Sequence, residues 1–130
     1  MKKYSIEYIV QSTDIDELNH VNNIRYVELV QDISKNHWFK EIDGIIPAKK
    51  YIWVIATHHL DYFRSAYLNE KLEIETYVRD FDGKYSNRVV NVRKIESGKL
   101  LFKALTKWCL IDVELQKSTE VTDEIASIFL

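Results

Sequence analysis

Residues 14–23 read DIDELNHVNN, and seven of these ten side chains are polar: Asp14, Asp16, Glu17, Asn19, His20, Asn22 and Asn23. The chain continues as IRYVELVQDISKNHWF, which has the spacing of an amphipathic helix. A helix N-terminus carries free amide N–H groups and a partial positive charge. If Asp16 folds back toward that terminus, one local unit offers a carboxylate together with amide donors. The carboxylate would activate water or attack directly, while the amides hold an oxyanion. Acyl transfer or hydrolysis needs that combination. A blander reading stands beside it, in which Asp14, Asp16 and Glu17 only complement the helix dipole from a solvated loop. Spacing alone leaves both open.

The elements that must position these residues are legible from the period of the apolar side chains. KYSIEYIVQS (3–12) reads as a first strand, with Tyr4, Ile6, Tyr8 and Val10 on one side. A helix is expected from about Asn23 to about Ile42, with Tyr26, Val30, Ile33 and His37 on its apolar stripe. Asn22 or Asn23 is a good cap, Gly44 a stop, and Pro47 prevents continuation. The period then changes to two. YIWVIATHHLDYF (51–63) is apolar on both faces at its start, as in a central strand, and sets Ile52, Val54, Ala56 and Leu60 against Trp53, Ile55 and Thr57. KLEIETYVRDF (71–81) alternates cleanly, Asp82-Gly83 supplies a hairpin turn, and KYSNRVVNVRKI (84–95) is the return strand. Ser97-Gly98 is a second hairpin signal before the longest strand, 99–113. A short tail follows. The order predicts one α+β domain over residues 1–130, whose single long helix leaves sheet surface for a partner subunit.

Composition narrows the function classes. The chain has 46% apolar and 29% charged residues, which is globular and not disordered. Eighteen basic against twenty acidic residues argue against general nucleic-acid binding. No apolar run approaches a membrane span, and MKKYSIEYIV lacks a signal-peptide core, so no membrane partner is expected. One cysteine, Cys109, fits a reducing compartment, and the expected location is the cytoplasm. Its place in mid-strand reads as a packed thiol. No histidine pair has zinc-ligand spacing, and no glycine-rich phosphate loop exists, so neither metal nor cofactor is expected.

DIDELNHVNNIRYVELV resembles the D-x-D-x-x-(G)-H-x-N-N-x-x-Y signature of hotdog-fold acyl-CoA thioesterases of the 4-hydroxybenzoyl-CoA thioesterase type. It is also similar to the N-x-H-V-N-N segment of plant acyl-carrier-protein thioesterases. HHLDYFRSAYLNEKLEIET resembles the family's I-x-Y-x-x-P-A-x-x-G-D-x-L stretch, and GKLLFKALTKWCLIDVELQKSTEVTDEI its last strand and closing tail. The likeness spans nearly the whole chain in order. It implies a hotdog fold, a long central helix wrapped by an antiparallel sheet of about five strands. It implies hydrolysis of an acyl-CoA or acyl-carrier-protein thioester by a homodimer or homotetramer with sites between subunits. By that resemblance Asp16 is the catalytic carboxylate, as base or nucleophile, and the Asn23 amide polarises the thioester carbonyl. His20 and Asn19 lie beside them as substrate-positioning groups. Thr57, His58 and His59 are candidates for the facing wall in the neighbouring subunit, although adjacent strand residues point to opposite faces.

The chain departs from the family pattern at Asn19, where the family has glycine, at Ser65 for its proline, and at Asn69-Glu70 for its Gly-Asp. Asparagine tolerates left-handed backbone angles, so the loop at Asn19 can survive the change. Arg64, Lys84, Arg88 and Lys94 read as solvated strand residues, or as partners of coenzyme A phosphates. Two rival functions belong to the same fold: a dehydratase or hydratase pairing His20 with an acid across the dimer, and a module that binds acyl thioesters without turnover.

Overall fold

The computed structural model describes residues 1–130. Its elements are β1 (Lys3–Ile9), α1 (Asn23–Ile42), β2 (Tyr51–Tyr62), β3 (Lys71–Asp82), β4 (Tyr85–Lys94), β5 (Leu100–Asp112), β6 (Lys117–Ser118) and α2 (Asp123–Phe129). The main strands form one antiparallel sheet in the order β1-β3-β4-β5-β2. The two-residue β6 pairs with the end of β5. Gly83 takes φ 60°, as the tight turn joining β3 to β4 requires.

α1 starts and stops where its sequence signals fall. Asn22 is extended, and its Oδ1 accepts the Ile24 N–H at 2.9 Å. Gly44, at φ 76°, turns the chain away after Ile42. Tyr26, Leu29, Val30 and Ile33 recur at three- and four-residue spacing, so one stripe is buried. It packs on Leu72, Ile74, Val90, Val92, Phe102 and Ala104 of the sheet. Full burial of each aliphatic side chain contributes about 1.5–3 kcal/mol. A second cluster joins Trp38 and Ile42 of α1 to Val78, Leu110 and the α2 residues Ile125, Ile128 and Phe129. What sequence offered only as a tail is therefore a capping helix, started by the Thr122 hydroxyl, which accepts the Ile125 N–H.

Two further differences concern β2. It is an edge strand in this chain and not a central one, and Ile52 and Val54 on its outer face are exposed. A bulge between Ile55 and Thr57 also reverses its alternation: Ile55 pairs with Trp108, Thr57 with Lys107 and His58 with Thr106. Hence Trp53 and Ile55 before the bulge share the α1-facing side with His58 and Leu60 after it. Thr57 and His59 face outward.

Candidate active site

The polar stretch folds as a tight loop pinned on both sides. Ile15 bridges Val21, the Asp16 N–H meets the His20 carbonyl at 3.2 Å, and the Asn19 N–H meets the Asp16 carbonyl at 3.0 Å. Closing so short a turn requires a left-handed residue, and Asn19 supplies it at φ 65°. Asn69 does the same at φ 68° where the family also has glycine. Asp16 is half-buried, and its Oδ1 accepts the Leu18 N–H at 2.9 Å. His20 is half-buried beside it, edge-on to Tyr67.

The loop runs directly into the mouth of α1. There Asn22 satisfies the Ile24 N–H through its side chain and the Arg25 N–H through its carbonyl, at 2.9 Å each. The Asn23 N–H, first in the helix, bonds nothing in the chain. A free amide at the positive end of a helix is a donor waiting for an acceptor. The Tyr62 hydroxyl reaches the Asn23 carbonyl at 3.4 Å and ties the end of β2 to this mouth.

What fixes the loop is a residue that sequence left in solvent. Asp14 is 3% exposed, and its carboxylate accepts from the Tyr8 hydroxyl at 2.6 Å, the Gln11 N–H at 2.8 Å and the Arg25 Nε at 2.8 Å. Burial alone would raise its pKa, but the Tyr8, Gln11 and Arg25 donors outweigh that and hold the carboxyl below its ordinary value. Asp14 thus locks β1, the loop and the first turn of α1 together. An arginine eleven residues downstream of an acid is the only signal that sequence carries for it.

The β2 candidates separate. His58 shares the inner face, with Nδ1 2.9 Å from the Thr106 hydroxyl, a buried Nε2 without partner, and a pKa lowered by burial. Thr57 and His59 are exposed on the outer face, and His59 lies 3.4 Å from Asp61. No hydrogen bond within the chain joins any of the three to Asp16, His20 or Asn23. Cys109 is buried. Of the cations read as solvated, Lys94 pairs with Glu70, but Arg88 is only 5% exposed and lies inside the fold.

The family model for the thioesterase-like superfamily matches residues 10–129. The chain belongs to that superfamily. The long-chain acyl-CoA thioesterase FadM of Escherichia coli is 26% identical over 125 residues, covering 89% of each chain. The chloroplastic oleoyl-acyl carrier protein thioesterase 2 of Arabidopsis thaliana is 24% identical over 136 residues, 98% of this chain and 37% of that protein. This thioesterase-like chain therefore spans little more than a third of the plant enzyme's length. Among solved structures, a 4-hydroxybenzoyl-CoA thioesterase mutant in complex with 4-hydroxybenzoyl-CoA superposes with a TM-score of 0.87 at 15% identity, over 100% of both chains. At that identity the likeness concerns the fold, which is the hotdog fold of thioesterases. No helix is long and apolar enough to cross a membrane.

Proposed function

We propose that this chain hydrolyses acyl thioesters, with Asp16 as the reacting carboxylate and the Asn23 amide as the oxyanion donor. The observation that supports it is the pinned loop, which carries Asp16 and runs into a helix whose first N–H has no partner in the chain. The thioester carbonyl oxygen accepts the Asn23 N–H, where the helix dipole favours the charge that develops during attack. Asp16 draws the proton from water, or attacks the carbonyl carbon itself. Where Asp16 acts as base, collapse of the tetrahedral species breaks the C–S bond, the thiolate takes the proton from Asp16, and the acid is released. Where Asp16 attacks, the thiolate leaves with a proton from solvent, and water then hydrolyses the acyl-Asp16 anhydride to the free acid and the carboxylate. Asn19 and His20 flank the carbonyl and orient it.

The enzyme works as a homodimer built on β2. Twelve residues long, that strand leaves one edge unpaired and exposes Ile52 and Val54, whereas the opposite edge, β1, is shorter and presents Lys3 and Glu7. Natural edges are blunted by charge unless they pair. A two-fold axis sets the start of one β2 against the end of the other. Tyr62 then carries each α1 mouth toward the partner's Tyr51 end. His58, on the inner face, is the β2 residue best placed to line this shared site, and Thr57 and His59 belong to the outer side of the interface. The buried, unpaired Cys109 supports a reducing compartment such as the cytoplasm.

The test is thiol release from a panel of acyl-CoAs and acyl-carrier proteins by wild type and Asp16→Asn. The variant should keep its fold and oligomeric state and lose about 10²–10⁴-fold in kcat. Undiminished turnover by Asp16→Asn would sink the mechanism. No thiol release from any substrate by wild type would favour a binding module.

A further inference from the structure

A cavity of about 200 Å³ opens between the second half of α1, the start of β2 and the inner face of the sheet. All three tryptophans of the chain, Trp38, Trp53 and Trp108, line it together with Phe81 and Phe129. An apolar cavity of about 150 Å³ already accepts a benzene ring. Yet Arg88 lines this one too, 5% exposed, with no carboxylate within reach.

The partners of Arg88 are neutral. Its Nη1 donates to His37 Nδ1 at 2.8 Å and to the Thr76 hydroxyl at 3.1 Å. Burial, and then the charge of Arg88, lower His37 to about 4, so its imidazole is uncharged at neutral pH. Burial pulls Arg88 itself down only to about 10, which leaves it cationic. Its Nε and Nη2 bond nothing in the chain. The Trp108 Nε1 is likewise buried without an acceptor. No acidic residue lines the cavity. A buried cation without a counter-charge is costly, and Arg presents a planar fork that matches a carboxylate.

We infer that the cavity receives the far end of the acyl group and selects one that ends in a carboxylate, held by the free edge of Arg88. This rests on the thioesterase reading and on pairing through β2, because the cavity rim at Ile52 lies toward the partner's α1 mouth. The aromatic walls accept either a short methylene chain or a single ring as spacer.

The test compares substrates of equal length that differ only at the far end: adipoyl-CoA against hexanoyl-CoA, and para-carboxybenzoyl-CoA against para-methylbenzoyl-CoA. A charge-assisted pair should favour the carboxylate member about 10- to 100-fold in kcat/KM. An apolar pocket gives the opposite order, and Arg88→Met, which leaves only the exposed Lys35 among the lining cations, should remove the preference for the carboxylate member. A second readout does not need turnover. Monomethyl adipate, and not dimethyl adipate, should perturb the tryptophan emission of wild type, and Arg88→Met should abolish the response. Carboxylate-selective quenching with no thiol release would keep this inference and overturn the thioesterase reading. Thiol release that favours the methyl-ended substrates would keep the thioesterase and overturn the inference. So would the absence of any selective quenching. The wild-type comparisons decide the matter even if Arg88→Met does not fold.

Discussion

Asp14 and Asp16 stand two residues apart in one loop and meet different surroundings. Three donors converge on the buried Asp14, while Asp16 accepts one backbone amide and keeps an oxygen free. The resemblance singled out Asp16, but spacing alone gave Asp14 no role, because that role depends on Tyr8 and Arg25 arriving from either side. Asp14→Asn weakens the charge-assisted bonds to Arg25 and Tyr8 and should cost about 1–3 kcal/mol in urea denaturation. The Asp14 contribution is present above the carboxyl's unfolded pKa and is lost as pH falls through its lower folded value. The turn at Asn19 was more legible, since a residue tolerant of left-handed angles stands where the resembling family has glycine. Asn19→Gly should therefore leave melting unchanged, whereas Asn19→Ala should lose about 1–2 kcal/mol.

At the scale of elements, α1 was readable at both ends because a side-chain cap and a glycine stop are local signals. The bulge in β2 was not, since neither glycine nor proline marks it. α2 escaped because seven residues show too little period to read. The link from His37 on α1 to Arg88 on β4 was equally hidden, because both residues looked like ordinary members of their elements. Its consequence is a pH dependence. His37 is held at about 4 by burial and then by Arg88, whereas an unfolded histidine titrates near 6.5. Between those values the unfolded chain binds the proton first, so stability falls as pH drops from about 6.5 toward 4 and rises again in the reverse direction. At pH 5 this histidine's share of the loss should be about 2 kcal/mol relative to pH 7.5. His37→Gln keeps an acceptor for Arg88 but cannot titrate. Its denaturation midpoint should drop less than that of wild type over the same interval, and parallel curves would refute the assignment.

For the whole molecule, the lesson of β2 runs opposite to that of the bulge. Its residues read as central strand, and in the single chain it is an edge. The two statements agree if the missing neighbour is a second copy, since an exposed apolar edge of this length would otherwise promote association without limit. In the proposed dimer the same pairing would join two half-sites: the Asp16 loop before α1, and the cavity rim at the start of β2. Val54→Glu places a charge on the exposed apolar face of β2 in each copy, without touching either half. Light scattering should show wild type at twice the chain mass and the variant at the chain mass, with unchanged far-ultraviolet circular dichroism. Thiol release should fall together with the dimer, and should return at protein concentrations high enough to restore pairing. A folded Val54→Glu monomer that still turns over at the wild-type rate would mean that one chain holds the complete site, and the β2 partner would then serve stability alone.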